Sequence, residues 1–214
     1  MTDPDVVLTL AQWFSPSFPI GAFSYSHGLE TAIAEGHVTD ALQCQTWLTD
    51  VLQHGAGRND VILLAAGYRA DEEEMSELDA LSRALAPSRE RLLETDQQGA
   101  AFAKTVRDVW GHDVPDLTLP LAVGVAAARQ GLPLELTAET YLHSFVSNLT
   151  SAAIRMVPLG QTEGQAIVLA LKPVIKEVAT LARSKTIDDL GAATFAADIS
   201  AMRHETQYAR IFRS

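Results

Sequence analysis

Only one cysteine, Cys44, stands in the 214-residue chain, which excludes an internal disulfide framework and a cysteine-rich structural zinc site. It falls in a helical pattern beside Trp47 and reads as an inert thiol rather than a nucleophile. Positive charge is also scarce: 16 Lys and Arg stand against 27 Asp and Glu, a formal net charge of -11. Phosphate backbones need a basic surface, so nucleic acid is excluded as the main partner. Alternating β-branched residues are almost absent, which excludes a sheet-based fold. Formal charge of either sign is missing from Val6 to Leu29, twenty-four residues in succession. A run of that length is buried, or bound to something, or both. It does not span a membrane, because Pro16, Pro19 and Gly21 interrupt any helix and several Ser, Thr and Gln residues would strand polar groups in hydrocarbon. Nor is it a secretory leader, since Asp3 and Asp5 occupy the place of a basic n-region. A cytoplasmic protein with no membrane partner is expected.

What the chain does contain is apolar residues at helical spacing almost throughout. The fold class expected is all-α, a single-domain helical bundle of about ten helices. The first helix covers about Asp5 to Phe14. After the proline-rich loop a second runs from near Ser24 to Gly36, a natural left-handed cap. Thr39 or Asp40 caps a third, with Leu42, Trp47, Leu48, Val51 and Leu52 on one face. Arg58 to Ala70 is the fourth, and a short helix follows the acidic block Asp71 to Glu74 and ends before Pro87. Ser88 opens a long helix to about Trp110, and Leu119 to Gln130, rich in Ala and Gly, reads as a central helix packed on several sides. Thr137 opens a helix to Val157. Gly160 to Ser184 should kink or break before Pro173, and the last helix covers about Asp188 to Gln207. Tyr208 to Ser214 is left as tail or frayed end.

Chemistry-bearing patterns are thin. Ser24 to Gly28 approaches a nucleophile elbow with Ser26 central, but the first glycine is missing and a loop, not a strand, precedes it. Neither nucleotide fingerprint is present. His27 and Glu30 stand three apart on one expected helix face, and His204 with Glu205 lies in the last helix; two ligands do not make a transition-metal site. His27 therefore reads as a surface or capping histidine. Ser24, Gly28, Ala32 and Gly36 repeat every four positions and form a groove for close packing, within the molecule or between subunits. Tyr208, Ile211 and Phe212, with Arg203, Arg210 and Arg213 around them, need burial somewhere: the segment folds back on the body or docks on a partner.

These same places carry a resemblance. Ser17-Phe-Pro-Ile-Gly-Ala-Phe-Ser-Tyr-Ser-His-Gly-Leu-Glu30 is similar to the N-terminal signature of the urease accessory protein UreF family. Ser147-Asn-Leu-Thr-Ser-Ala-Ala-Ile-Arg-Met-Val-Pro-Leu-Gly-Gln-Thr-Glu-Gly-Gln165 resembles its central signature, and Met202-Arg-His-Glu-Thr-Gln-Tyr-Ala-Arg-Ile-Phe-Arg-Ser214 its terminal one. Ala22 and Ala209 are mild departures. The resemblance implies a non-catalytic, cytoplasmic homodimer, without cofactor or metal ligands of its own, that assists nickel insertion into apo-urease. It would bind the accessory protein UreD, also called UreH, and with it recruit the GTPase UreG. The residues expected to meet partners are Phe18, Phe23, Tyr25, His27 and Glu30 at the front, and Arg203, Glu205, Tyr208, Arg210, Ile211, Phe212 and Arg213 at the end. Residues 208–214 would be a docking tail that becomes ordered against UreD. Stimulation of GTP hydrolysis by Arg155 or Arg203 is an open reading, since nothing in the sequence singles out either. The competing classes are a helical hydrolase and a nickel-binding protein acting alone.

Overall fold

A computed structural model describes residues 3–214, and among them there are helices and turns but no strand. Helix α1 (Pro4–Trp13) starts where the Asp3 carboxylate accepts from the Asp5 amide, with Pro4 in the first turn where its missing N–H costs nothing. After the loop come α2 (Leu29–Ala34), α3 (Ala41–His54), α4 (Ala56–Arg69) and α5 (Met75–Ala84). The long α6 (Arg89–Trp110) is capped by Ser88 and closed by a left-handed Gly111. It is followed by α7 (Leu119–Gln130), α8 (Leu134–Met156), α9 (Gln161–Ala179) and α10 (Phe195–His204).

The all-helical expectation holds, and α7 is the packed centre: every residue from Pro120 to Ala127 is buried. Its neighbours are α4 and α6. Trp13 sits edge-on to Phe102 at 5.3 Å and to Trp110 at 5.8 Å, which locks α1 onto α6. No helix among the described residues is long and apolar enough to cross a membrane.

Four features differ from the sequence expectation. Leu42 points outward at 73% exposure, because the buried stripe of α3 is Cys44, Leu48, Val51 and Leu52; two residues from Cys44 is about 200° of helical rotation. α8 begins at Leu134, before Thr137, whose hydroxyl bonds back to the Pro133 carbonyl. α9 does not break at Pro173. The carbonyl orphaned by the proline belongs to Leu169, which lies on the solvent face and can bond to water. The last helix is shorter than expected. Residues 190–194 run irregularly, tied by Ala193 N–H to the His54 carbonyl at 2.8 Å and Gly191 N–H to Asn59 Oδ1 at 3.1 Å.

Candidate functional site

The proline-rich loop is built from turns. Gly21 is left-handed (φ 70°), residues 22–24 form one 3-10 turn, and Tyr25 is extended. His27 (φ 57°) and Gly28 (φ 77°) are then both left-handed, and His27 is the one non-glycine with positive φ among the described residues. Two such residues in a row cannot continue a right-handed helix. The expected helix from Ser24 to Gly36 is therefore corrected: only Leu29–Ala34 is α-helical. The four-residue stripe of small side chains does not line one helix face, and His27 and Glu30 do not share one. Gly28 has a different task. A Cβ there would stand 2.6 Å from the Ala201 backbone nitrogen, so the glycine lets α2 meet α10 backbone to backbone.

Residues 208–214 are folded onto this loop. The Arg213 N–H donates to the Ser24 carbonyl and the Ser26 N–H to the Ser214 carbonyl, both at 2.8 Å; the Ser26 hydroxyl donates to that carbonyl as well. Glu30, 5% exposed, accepts the N–H of Ile211 at 2.6 Å and of Phe212 at 2.9 Å. His204, fully buried, lies between two carboxylates, with Nε2 3.1 Å from Glu30 and Nδ1 2.6 Å from Glu90; Arg210 also pairs with Glu90. Phe212 is buried under the Arg155 guanidinium, 5.6 Å above its ring. In this structure the tail is folded back on the body.

The sequence-predicted residues separate accordingly. Phe18 belongs to the core, packed on Phe102 and Trp110, because the turn at Ser15 to Phe18 directs it inward. Tyr25 is buried too, its hydroxyl on Gln97 at 2.8 Å. His27 is not a surface or capping residue: Nε2 meets Glu94 at 2.6 Å and the ring stands edge-on to Phe145. Glu30 and Phe212 form the clasp. Arg203 pairs with Glu35 and Glu205 with Arg89 at the rim. Phe23, Tyr208 and Ile211 remain exposed, Tyr208 completely. The Arg213 side chain is exposed, with only a long contact to Gln97.

Sequence reasoning missed the floor beneath them, which α6 supplies as Glu90, Arg91, Glu94, Gln97 and Gln98. Their signal was a polar stripe at three- and four-residue spacing on the inner face of a long helix. It also missed Asn148 of α8, whose side-chain amide donates to the Ala22 carbonyl at 2.9 Å.

The electrostatics follow from burial. Desolvation alone would raise the Glu94 carboxyl, but Arg91 beside it, helped by His27 and the Ser214 hydroxyl, holds it down at about 2. Burial, with Arg91 in addition, lowers His27. Burial pushes Asp60 up to about 6 although it accepts from the Tyr141 hydroxyl, and pushes the Cys44 thiol up to about 11, which makes it inert. The Ser26 hydroxyl is committed to a carbonyl. No group of three or more His, Cys, Asp or Glu among the described residues could hold a metal ion.

A pH prediction arises here. Because Glu94 titrates in the fold at about 2 and ordinarily near 4.5, its stabilisation is complete above 4.5 and is lost as pH falls toward 2. The stability gap between wild type and Glu94→Gln, measured by urea unfolding, should narrow by about 3 kcal/mol between pH 5 and pH 2. A gap independent of pH would contradict the assignment.

Comparison with known proteins shows the family. The family model named UreF matches residues 38–172. A curated relative from Roseobacter denitrificans, named urease accessory protein UreF, is 55% identical over 210 residues, covering 98% of this chain and 95% of its own length. Relatives of the same name from Cereibacter sphaeroides (strain KD131) and Ruegeria pomeroyi are 54% and 49% identical, each across 97% of this chain and 98% and 96% of their own.

Proposed function

The chain belongs to the UreF family of urease accessory proteins, and from that membership we propose that it works as a non-catalytic adaptor in nickel insertion. In this reading it binds UreD and with it recruits the GTPase UreG to apo-urease in the cytoplasm, as a homodimer, with nickel as cargo rather than resident cofactor.

The observation that carries the reading is convergence. Three segments far apart in sequence, around 17–30, 147–165 and 202–214, meet at one place: Ser26 bonds Ser214, Asn148 bonds the Ala22 carbonyl, and Arg155 covers Phe212. Their buried polar groups are mostly spent on each other and on α6 beneath them, while Phe23, Tyr208 and Ile211 from the same segments face solvent. Exposed aromatic and apolar side chains on an internally braced frame suit contact rather than turnover.

Deleting residues 208–214 should abolish co-purification with UreD, while far-UV circular dichroism changes little because these residues are outside every helix. Capture of UreD by the truncated chain at wild-type yield would refute the tail as a docking element. A hydrolase or an independent nickel binder would instead retain its activity or its stoichiometric nickel when purified alone.

A further inference from the structure

A groove of about 330 Å³ runs between the proline-rich loop and α8. Phe14, Ile20 and Phe23 form its apolar wall, and His143, Ser147 and Arg155 of α8 face them. None of its lining residues is acidic, in a chain that carries 27 Asp and Glu. Its ionisable side chains are His143 and Arg155, and Lys172 lies close enough to His143 to depress its basicity further after burial has done so. With His143 held toward its neutral form, the one charged side chain lining the groove is the Arg155 guanidinium, on a molecule of net charge -11.

One charged side chain in it and one buried N–H behind its wall lack partners. Arg155 is exposed, stacks one face on Phe212, and has no carboxylate within ion-pair distance among the described residues. Trp13, fully buried, has an indole N–H with no acceptor; buried indoles ordinarily find one. Trp13 lines both the groove and a smaller adjoining cavity of about 50 Å³.

We propose that this groove is a docking site for a segment of a partner protein that inserts an apolar side chain between Phe14 and Phe23 and sets a carboxylate on Arg155. The apolar wall takes the anchor, and the guanidinium takes the charge in a bidentate pair. Charge decides the class of occupant: an acidic segment is drawn in and a basic one is repelled. Since Arg155 also lies over Phe212, the same residue joins the groove to the folded tail. The proposal rests on the adaptor reading above and names the chemistry of one of its contacts.

The full-length chain carrying Ser151→p-benzoylphenylalanine, a photo-crosslinker at the groove wall, is irradiated with purified UreD, UreG and apo-urease together. Mass spectrometry should find the crosslink in a partner segment that has an Asp or Glu within a few residues of an aromatic or aliphatic side chain. Arg155→Glu should weaken capture of that same partner about tenfold or more, and Arg155→Lys, which keeps the charge but loses the bidentate fork, by a smaller factor, with the salt sensitivity of binding reduced only in the charge reversal. A crosslink to a second copy of this chain, a crosslink to a basic segment, or no crosslink with Arg155→Glu binding like wild type overturns the groove. Deletion of residues 208–214 is run in parallel. If it abolishes UreD capture while the groove variants do nothing, the groove falls and the adaptor reading stands; if the wild-type chain captures none of the three partners, the adaptor reading falls.

Discussion

Replacing Glu30 by alanine should release residues 208–214 from the body, with tryptic cleavage after Arg210 accelerating tenfold or more, on the order of what a loss of 1.4 kcal/mol in local stability produces. The reason is the number of contacts resting on one side chain. Glu30 accepts two tail N–H groups and meets His204, all from a position 5% exposed. Hydrogen bonds to a buried charge contribute about 1.5–3 kcal/mol each. Against them, ordering the seven residues 208–214 costs about 1–2 kcal/mol per residue. Burial of Phe212 and the two backbone bonds to Ser24 and Ser26 offset part of that cost, so Glu30 is placed to tip the balance. Glu30→Gln keeps the shape but turns an amide N–H toward one of the tail donors, and should release the tail to an intermediate degree. Equal cleavage rates in wild type and Glu30→Ala, with circular dichroism unchanged in both, would show that the tail is held by other contacts.

Replacing Gly124 by valine should leave no folded protein, and even Gly124→Ala should lower the melting temperature. In an exposed helix Gly→Ala stabilises by about 1 kcal/mol. Here the sign reverses. A Cβ on Gly124 in α7 would lie 2.1 Å from the Leu64 carbonyl oxygen of α4, while one on Gly67 in α4 would lie 2.7 Å from the Leu121 carbonyl oxygen of α7. The two helices approach through reciprocal glycines, and the atoms a side chain would strike are backbone, which cannot turn aside. Overpacking of this kind costs about 1–3 kcal/mol or more, from a total stability of about 5–15 kcal/mol. For a chain of this size each kcal/mol is worth about 2–4 °C. A Gly124→Ala variant that melts above wild type would mean that the helices can separate without loss.

The helical pattern was legible because it is local. The Ala- and Gly-rich stretch Leu119 to Gln130 is a central helix as its composition suggests, and Ser88 and Gly111 begin and end α6 as capping chemistry requires. Leu42 and Pro173 misled for opposite reasons: an apolar residue can face water at modest cost, and a proline is tolerated where its orphaned carbonyl can be solvated. The helix expected from Ser24 failed at His27, whose left-handed backbone has no signature in the residue itself. Glu94 was invisible as a partner for His27 because sixty-seven positions of sequence separate them.

By itself, the amino-acid sequence determined the all-helical class, most helix positions, the inert thiol, and the three segments that mark the family. It did so because periodicity, capping and turn chemistry are written within a few residues of where they act. Only the tertiary structure decided which members of those segments are buried. Phe18, Tyr25 and Phe212 are inside and Phe23, Tyr208 and Ile211 outside, although all are large and apolar or aromatic. That division depends on contacts between distant segments, Phe18 with Phe102, Tyr25 with Gln97, and the tail with Glu30, Glu90 and His204 of three different helices, and long-range contacts leave no periodic trace in the sequence.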